Sequence, residues 1–159
     1  METINKFKER KVTITRIIDA PRKLVFKAWT DPKRMEQWWG PHGFTSSGCK
    51  MDLKPGGNWQ IRMDAPQMGF NNLWTKGVFK EIVEPEKLVL TINGLESDEK
   101  VGLEATNTVT FEEYNGKTKL ILQIVVTNLI PSWENAFKGM EQGWSQSLEK
   151  LFDYLIKLK

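Results

Sequence analysis

Apolar positions alternate near the start of the chain, shift to a helical spacing, alternate again through most of the length, and end on a helical stripe. Val12, Ile14, Arg16 and Ile18 alternate with Thr13, Thr15, Ile17 and Asp19, which predicts a β-branched strand. Asp19-Ala20-Pro21 closes it and opens a short helix. Asp19 or Ala20 is expected at the cap and Pro21 in the first turn, where a missing N–H costs nothing. Leu24, Val25, Ala28 and Trp29 form its buried face. Asp31 then caps a second short helix carrying Met35, Trp38 and Trp39, which Gly40-Pro41 ends.

From Phe44 the pattern predicts six further strands, broken by turn residues at Lys54-Pro55-Gly56-Gly57, Glu84-Pro85-Glu86-Lys87 and Tyr114-Asn115-Gly116-Lys117. The segments are Phe44 to Met51, a strand on Trp59, Ile61 and Met63, Leu73 to Val83, and a strand on Leu88, Leu90 and Ile92. Two more carry Leu103, Ala105, Asn107, Val109 and Phe111, then Leu120, Leu122, Ile124 and Val126. Residues 65–72 are expected as a loop exposing Met68 and Phe70, and Asn93 to Lys100 as a polar connection. Gly77 marks a bulge or a close backbone approach. The first strand is expected to pair with the last, protecting a sheet edge.

After Pro131, Trp133, Phe137, Met140, Trp144, Leu148, Leu151, Phe152 and Leu155 recur at three and four, with Ser132 as N-cap. They predict one continuous helix over 133–157, roughly 37 Å long at about 1.5 Å per residue. The fold class is therefore α+β: a curved antiparallel sheet on a long C-terminal helix, with two short helices after the first strand. No βαβ repeat points to a doubly wound nucleotide fold. Residues 1–10 form a polar extension and 11–159 a single domain. A second stripe on the long helix is small: Ala136, Gly139, Gly143 and Ser147. Glycine inside a helix costs about 1 kcal/mol against alanine. Either a bulky sheet residue such as Trp59 or Trp74 presses close there, or the missing side chains leave room for a ligand.

Composition sharpens this picture. Seven Trp, eight Phe and two Tyr in 159 residues exceed what a surface can carry, so most must fill a core and some can line a cavity. The net charge of +3 is spread out, with no concentrated basic face for nucleic acid. No apolar run reaches the roughly 18–20 residues of a membrane helix, and the start lacks an apolar leader. The lone Cys49 has no internal disulfide partner, and cytoplasmic residence follows as the simplest expectation.

Catalytic and metal signals are sparse. The single histidine, His42, has no partner fixed by spacing, and is expected to seat the aromatic loop around it. Cys49 would need a base and a lowered pKa to act as a nucleophile, so a buried structural thiol is expected. One His and one Cys do not make a zinc set. No phosphate loop or nucleophile elbow occurs.

Ala20-Pro21, Ala28-Trp29-Thr30-Asp31-Pro32, Trp38-Trp39-Gly40-Pro41, Pro55-Gly56-Gly57-x-Trp59, Pro85-Glu86-Lys87-Leu88-Val89 and Gly143-Trp144 resemble the family similar to the C-terminal domain of the activator of the 90-kDa heat-shock-protein ATPase. The resemblance covers roughly residues 11 to 157. It implies a helix-grip fold of the START-like (SRPBCC) class, similar to the birch pollen allergen, and a stress-response setting. It brings no shared catalytic constellation. The wider class includes carriers of hydrophobic molecules, polyketide cyclases and a few hydrolases.

The leading expectation is a non-enzymatic module that binds a small hydrophobic or aromatic ligand between sheet and helix, with no cofactor and no metal. Its candidate lining is Trp38, Trp59, Trp74, Phe79 and Phe111 on one side, Phe137, Met140, Gly143 and Trp144 on the other, and Asn107 as an orienting polar group. One alternative is protein binding, to a chaperone or a second copy as a homodimer, through an exposed patch of Trp38, Trp39, Phe44, Met68 and Phe70. The other is an enzyme using His42, Asp64 or Glu104 on a cavity-bound substrate.

Overall fold

The computed structural model describes residues 10–96 and 98–158. Seven antiparallel strands form one curved sheet: β1 (Arg10–Ile18), β2 (Thr45–Met51), β3 (Asn58–Ala65), β4 (Phe70–Val83), β5 (Lys87–Leu95), β6 (Val101–Tyr114) and β7 (Lys117–Leu129), in the order β1-β7-β6-β5-β4-β3-β2. The first strand pairs with the last, from Arg10 opposite Val126 to Ile18 opposite Thr118. The helices are α1 (Arg22–Thr30), α2 (Pro32–Met35), α3 (Glu134–Lys138) and α4 (Met140–Leu158). This is a helix-grip fold. Among the described residues, no helix is long and apolar enough to cross a membrane.

The inner face of the sheet is where alternation pointed. Leu103, Ala105, Asn107, Val109 and Phe111 on β6 and Leu120, Leu122, Ile124 and Val126 on β7 are all buried. The β6–β7 reversal places Asn115 and Gly116 at φ 50° and 80°, the pair of positive values that matches strand twist. Gly77 is a close-approach point: a Cβ there would overlap the Thr91 carbonyl oxygen and crowd Trp59 Nε1. The register shift in β4 lies instead between Phe79 and Glu81. Asp31 caps α2, its carboxylate accepting the Lys33 N–H at 3.0 Å.

Several boundaries differ from expectation. Residues 1–9 of the polar extension lie outside the described residues, but Arg10 belongs to β1. The loop expected over 65–72 is mostly a single turn of 3-10 helix, Pro66–Met68, because β4 already begins at Phe70. β5 continues to Leu95, whose side chain is buried. The expected continuous helix is interrupted. Pro131–Trp133 form a 3-10 turn rather than a Ser132-capped start, and α3 ends at Gly139 before α4 begins. Gly139 sits at φ −89°, ψ 0°, outside the helical well, where a residue with low helix propensity gives way most easily.

Candidate ligand cavity

α4 meets the sheet unequally along its length. Its later turns bury Leu148, Leu151 and Leu155 against the core, each side chain worth roughly 1.5–3 kcal/mol when fully buried. Before Ser147, no residue of α4 is buried. There the helix stands off from β3, β4 and β5 and leaves a cavity of about 320 Å³. Ala136, Gly139, Gly143 and Ser147 all line it. A Cβ on Gly143 would come no closer than 3.7 Å to Pro41 Cγ, and one on Gly139 would meet only the carbonyl oxygens of its own helix, at 3.6 and 4.0 Å. No bulky sheet residue presses on either glycine, so Trp59 and Trp74 do not explain them. Exposed Ala136 and Gly139 mark the mouth, while buried Thr75, Ile92 and Ser147 lie at the inner end.

Aromatic rings build one wall. Trp144 lies parallel to Trp29 at 5.8 Å and meets Trp39 edge-on at 5.1 Å. Trp39 in turn packs edge-on against Trp59 at 5.4 Å. Thus the two rings on the cavity, Trp39 and Trp144, are held from behind by rings of the core. Another wall depends on Trp133. Its indole fills a slot left by Gly94 and Gly102 on neighbouring strands, where any Cβ would overlap the ring, and its Nε1 donates to Glu96 Oε2 at 3.3 Å. α3, which follows, is tied to β1 by Arg10. That guanidinium reaches Glu134 Oε2 at 2.6 Å and lies 4.8 Å from the Phe137 ring centroid.

The segment from Trp39 to Phe44, which carries the wall residues Gly40 and Pro41, is strapped to α4. Lys150 Nζ donates to the carbonyl oxygens of Gly40 (3.0 Å), Phe44 (3.2 Å), Trp39 (3.4 Å) and Pro41 (3.5 Å). Burial lowers its pKa below the ordinary 10.5. One turn earlier, Gln146 Oε1 accepts the His42 N–H at 3.0 Å, and Glu149 Oε1 lies 3.1 Å from His42 Nε2.

Trp74, Met140, Gly143 and Trp144 of the expected lining are on the cavity. Trp38, Trp59, Phe79 and Phe111 are not; they are packed core. Trp38 Nε1 donates to Ala28 O at 3.1 Å and Trp59 Nε1 to Thr91 O at 3.0 Å, so both indoles are fixed inside. Phe111 stacks edge-on against Phe26 at 5.2 Å. Phe137 faces Arg10, outside the cavity lining. Asn107 is buried and not on the lining. Sequence reasoning missed Met63, Leu73, Thr75, Ile92, Leu95 and Trp133. Thr75 shares its strand face with Gly77 and Phe79, and nothing in the sequence pattern distinguishes cavity positions from core positions on that face.

No charged or titratable side chain lines the cavity. His42 is more than half exposed and paired with Glu149. Asp64 accepts the Asn72 N–H at 2.6 Å and faces Arg62, and exposed Glu104 accepts from Thr127 Oγ1 at 2.7 Å. None of the three lines the cavity. Cys49 is buried, and that burial, with Glu36 and Asp31 nearby, pushes its thiol up to about 12, the opposite of an activated nucleophile. The described residues hold no cluster of metal ligands. The apolar patch expected at the surface is reduced: Trp38 and Trp39 are buried, while Met68 and Phe70 are exposed, with Phe70 stacked on Phe44 at 5.8 Å.

The family described as "Activator of Hsp90 ATPase homolog 1-like protein" matches residues 19–155. The chain belongs to that family. A search of curated proteins gave no match. Among solved structures, the chain is similar to a protein from Arthrobacter aurescens, at 21% identity over 92% of this chain and 86% of that one, with a TM-score of 0.82. It is similar to a protein from Rhizobium leguminosarum at 23% identity, 94% and 96% coverage and a TM-score of 0.79. The AHSA1 protein from Silicibacter pomeroyi gives 22% identity, 94% and 100% coverage and 0.76. At these identities the structures establish the shared fold. Family and fold together make this a helix-grip domain of the general binding type.

Proposed function

We propose that residues 11–159 form one cytoplasmic domain that binds a small hydrophobic or aromatic molecule in the cavity between α4 and strands β3 to β5. The observation that carries this reading is the alignment of Ala136, Gly139, Gly143 and Ser147 along a wall that no sheet side chain fills. The volume of about 320 Å³ is within the range of about 300–1,000 Å³ for small-molecule sites. Among the described residues the lining holds no acid or base to activate the Thr75 and Ser147 hydroxyls, which favours binding over turnover. A lone buried thiol fits a reducing compartment. Titrating tryptophan fluorescence with a panel of aromatic compounds and lipids tests it, because Trp39 and Trp144 report on the site. A saturable change is expected for compounds with two fused rings; no saturable change across the panel would overturn the reading.

The exposed Met68 and Phe70 support a second reading, contact with a chaperone or a second copy. The family's description, which names an activator of the Hsp90 ATPase, motivates the chaperone. Light scattering with and without Met68→Ser/Phe70→Ser, alone and with that chaperone added, separates this from ligand binding. A strict monomer with no mass gain would sink it.

A further inference from the structure

Five polar side chains are buried among the described residues: Thr30, Thr75, Asn107, Thr118 and Ser147. Two are accounted for. Thr30 Oγ1 donates to Phe26 O at 3.0 Å and Thr118 Oγ1 to Ala20 O at 2.7 Å. The other three make no side-chain hydrogen bond to any described residue. Asn107 is 1% exposed, yet both its amide oxygen and its amide nitrogen lack a partner. Folded proteins leave few buried polar groups in that state, because desolvation without compensation is costly.

Two of the three meet. Thr75 and Ser147 line the inner end of the cavity from opposite sides, one on the sheet and one on the helix. Asn107 stands apart from them: it is not on the lining, and it pairs with Leu90 on β5, four residues from Gly94, the partner of Thr75. The rest of the lining is apolar and uncharged. Lys150, bonded to the carbonyl of the wall residue Gly40, is occupied by backbone carbonyls.

We propose that the hydroxyls of Thr75 and Ser147 form a polar inner end that selects a neutral ligand. Such a ligand has an apolar, ring-containing body and one head that both donates and accepts hydrogen bonds: a phenol, a lactam or a carboxamide. A hydroxyl on each side, each able to donate and to accept, supplies both kinds of partner. Carboxylate, phosphate and ammonium heads find no counter-charge and are rejected by the desolvation they would suffer. This rests on the cavity being a ligand site, and the test separates the two claims.

Calorimetry with naphthol, naphthamide, naphthoate and methylnaphthalene compares four heads on one body. Naphthol and naphthamide should bind about tenfold more tightly than methylnaphthalene, with naphthoate the weakest. Thr75→Val and Ser147→Ala should each weaken naphthamide by about tenfold and leave methylnaphthalene unchanged. Both keep the side chain's shape closely. If methylnaphthalene binds as well as the polar probes, or the variants weaken every probe alike, the polar end is wrong and the cavity stands. If none of the four binds the native protein, the ligand reading falls and this inference with it.

Discussion

The two halves of α4 face the same sheet and do opposite things. From Ser147 to Leu155 the helix presses leucines into a core closed by Phe26, Trp29, Phe111 and the β6–β7 aliphatics. From Met140 to Gly143 it carries small or half-exposed residues and leaves space. The difference lies in side-chain volume, since both halves are regular helix. Leucines pull the helix onto the sheet; Gly143, with no side chain, and Gly139 just before the helix leave the curved sheet room to separate from it. Where the gap opens, the flanking parts are secured by polar contacts in place of apolar ones: Lys150 on the 39–44 segment, Arg10 on α3, and Trp133 in its glycine slot.

The largest expected effect breaks the packed half. Leu151→Ala should cost about 2–5 kcal/mol in urea denaturation, because its side chain is fully buried. Met140→Ala should cost less than about 1 kcal/mol, since Met140 borders open space. Equal losses would show that the two halves pack alike. Next, Lys150→Met keeps the apolar stem but leaves four carbonyls without their donor, and should cost about 1–3 kcal/mol. Hydrogen exchange should quicken at residues 40–44 and not in β6 or β7. A uniform change would mean that Lys150 does not act on that segment. Smaller still, Gly143→Ala should stabilise by up to about 1 kcal/mol, whereas Gly143→Leu should fill the cavity and abolish binding without unfolding the protein. A destabilising Gly143→Ala would mean that the space is already occupied.

The last effect concerns pH and appears only in alkali. The Cys49 thiol is raised from 9.0 to about 12 in the folded protein. Above pH 9 the unfolded chain releases this proton and the folded chain holds it. The contribution is therefore complete below pH 9 and is lost as pH rises towards about 12. Cys49→Ala should flatten the alkaline decline of stability measured by urea titration, and native Cys49 should react with a thiol reagent only as the protein opens. An unchanged alkaline slope, or fast labelling at neutral pH, would contradict its burial.

What the residues revealed in advance follows from which forces are local. Strand alternation, the Asn115-Gly116 turn and the Asp31 cap depend on near neighbours, and all three stand in the structure. The small stripe was visible, as was its possible meaning. The break at Gly139 was hidden because the apolar spacing runs through it undisturbed. The wall residues were hidden for a different reason. Phe79 and Thr75 share one strand face, yet one is core and the other cavity, and only the distance to the helix separates them. Likewise Trp133 needs Gly94 and Gly102, which are brought together by strand pairing rather than by spacing along the chain.

Methionine methyl NMR reaches the central claim most directly. Met63 and Met140 line the cavity, Met35 is buried in the core and Met68 is exposed at the surface. On titration with naphthol, the Met63 and Met140 methyl signals should shift together and saturate, while Met35 and Met68 stay in place. Shifts confined to Met68, or no saturable shift at Met63 and Met140, would contradict a ligand seated between the thin half of α4 and the sheet.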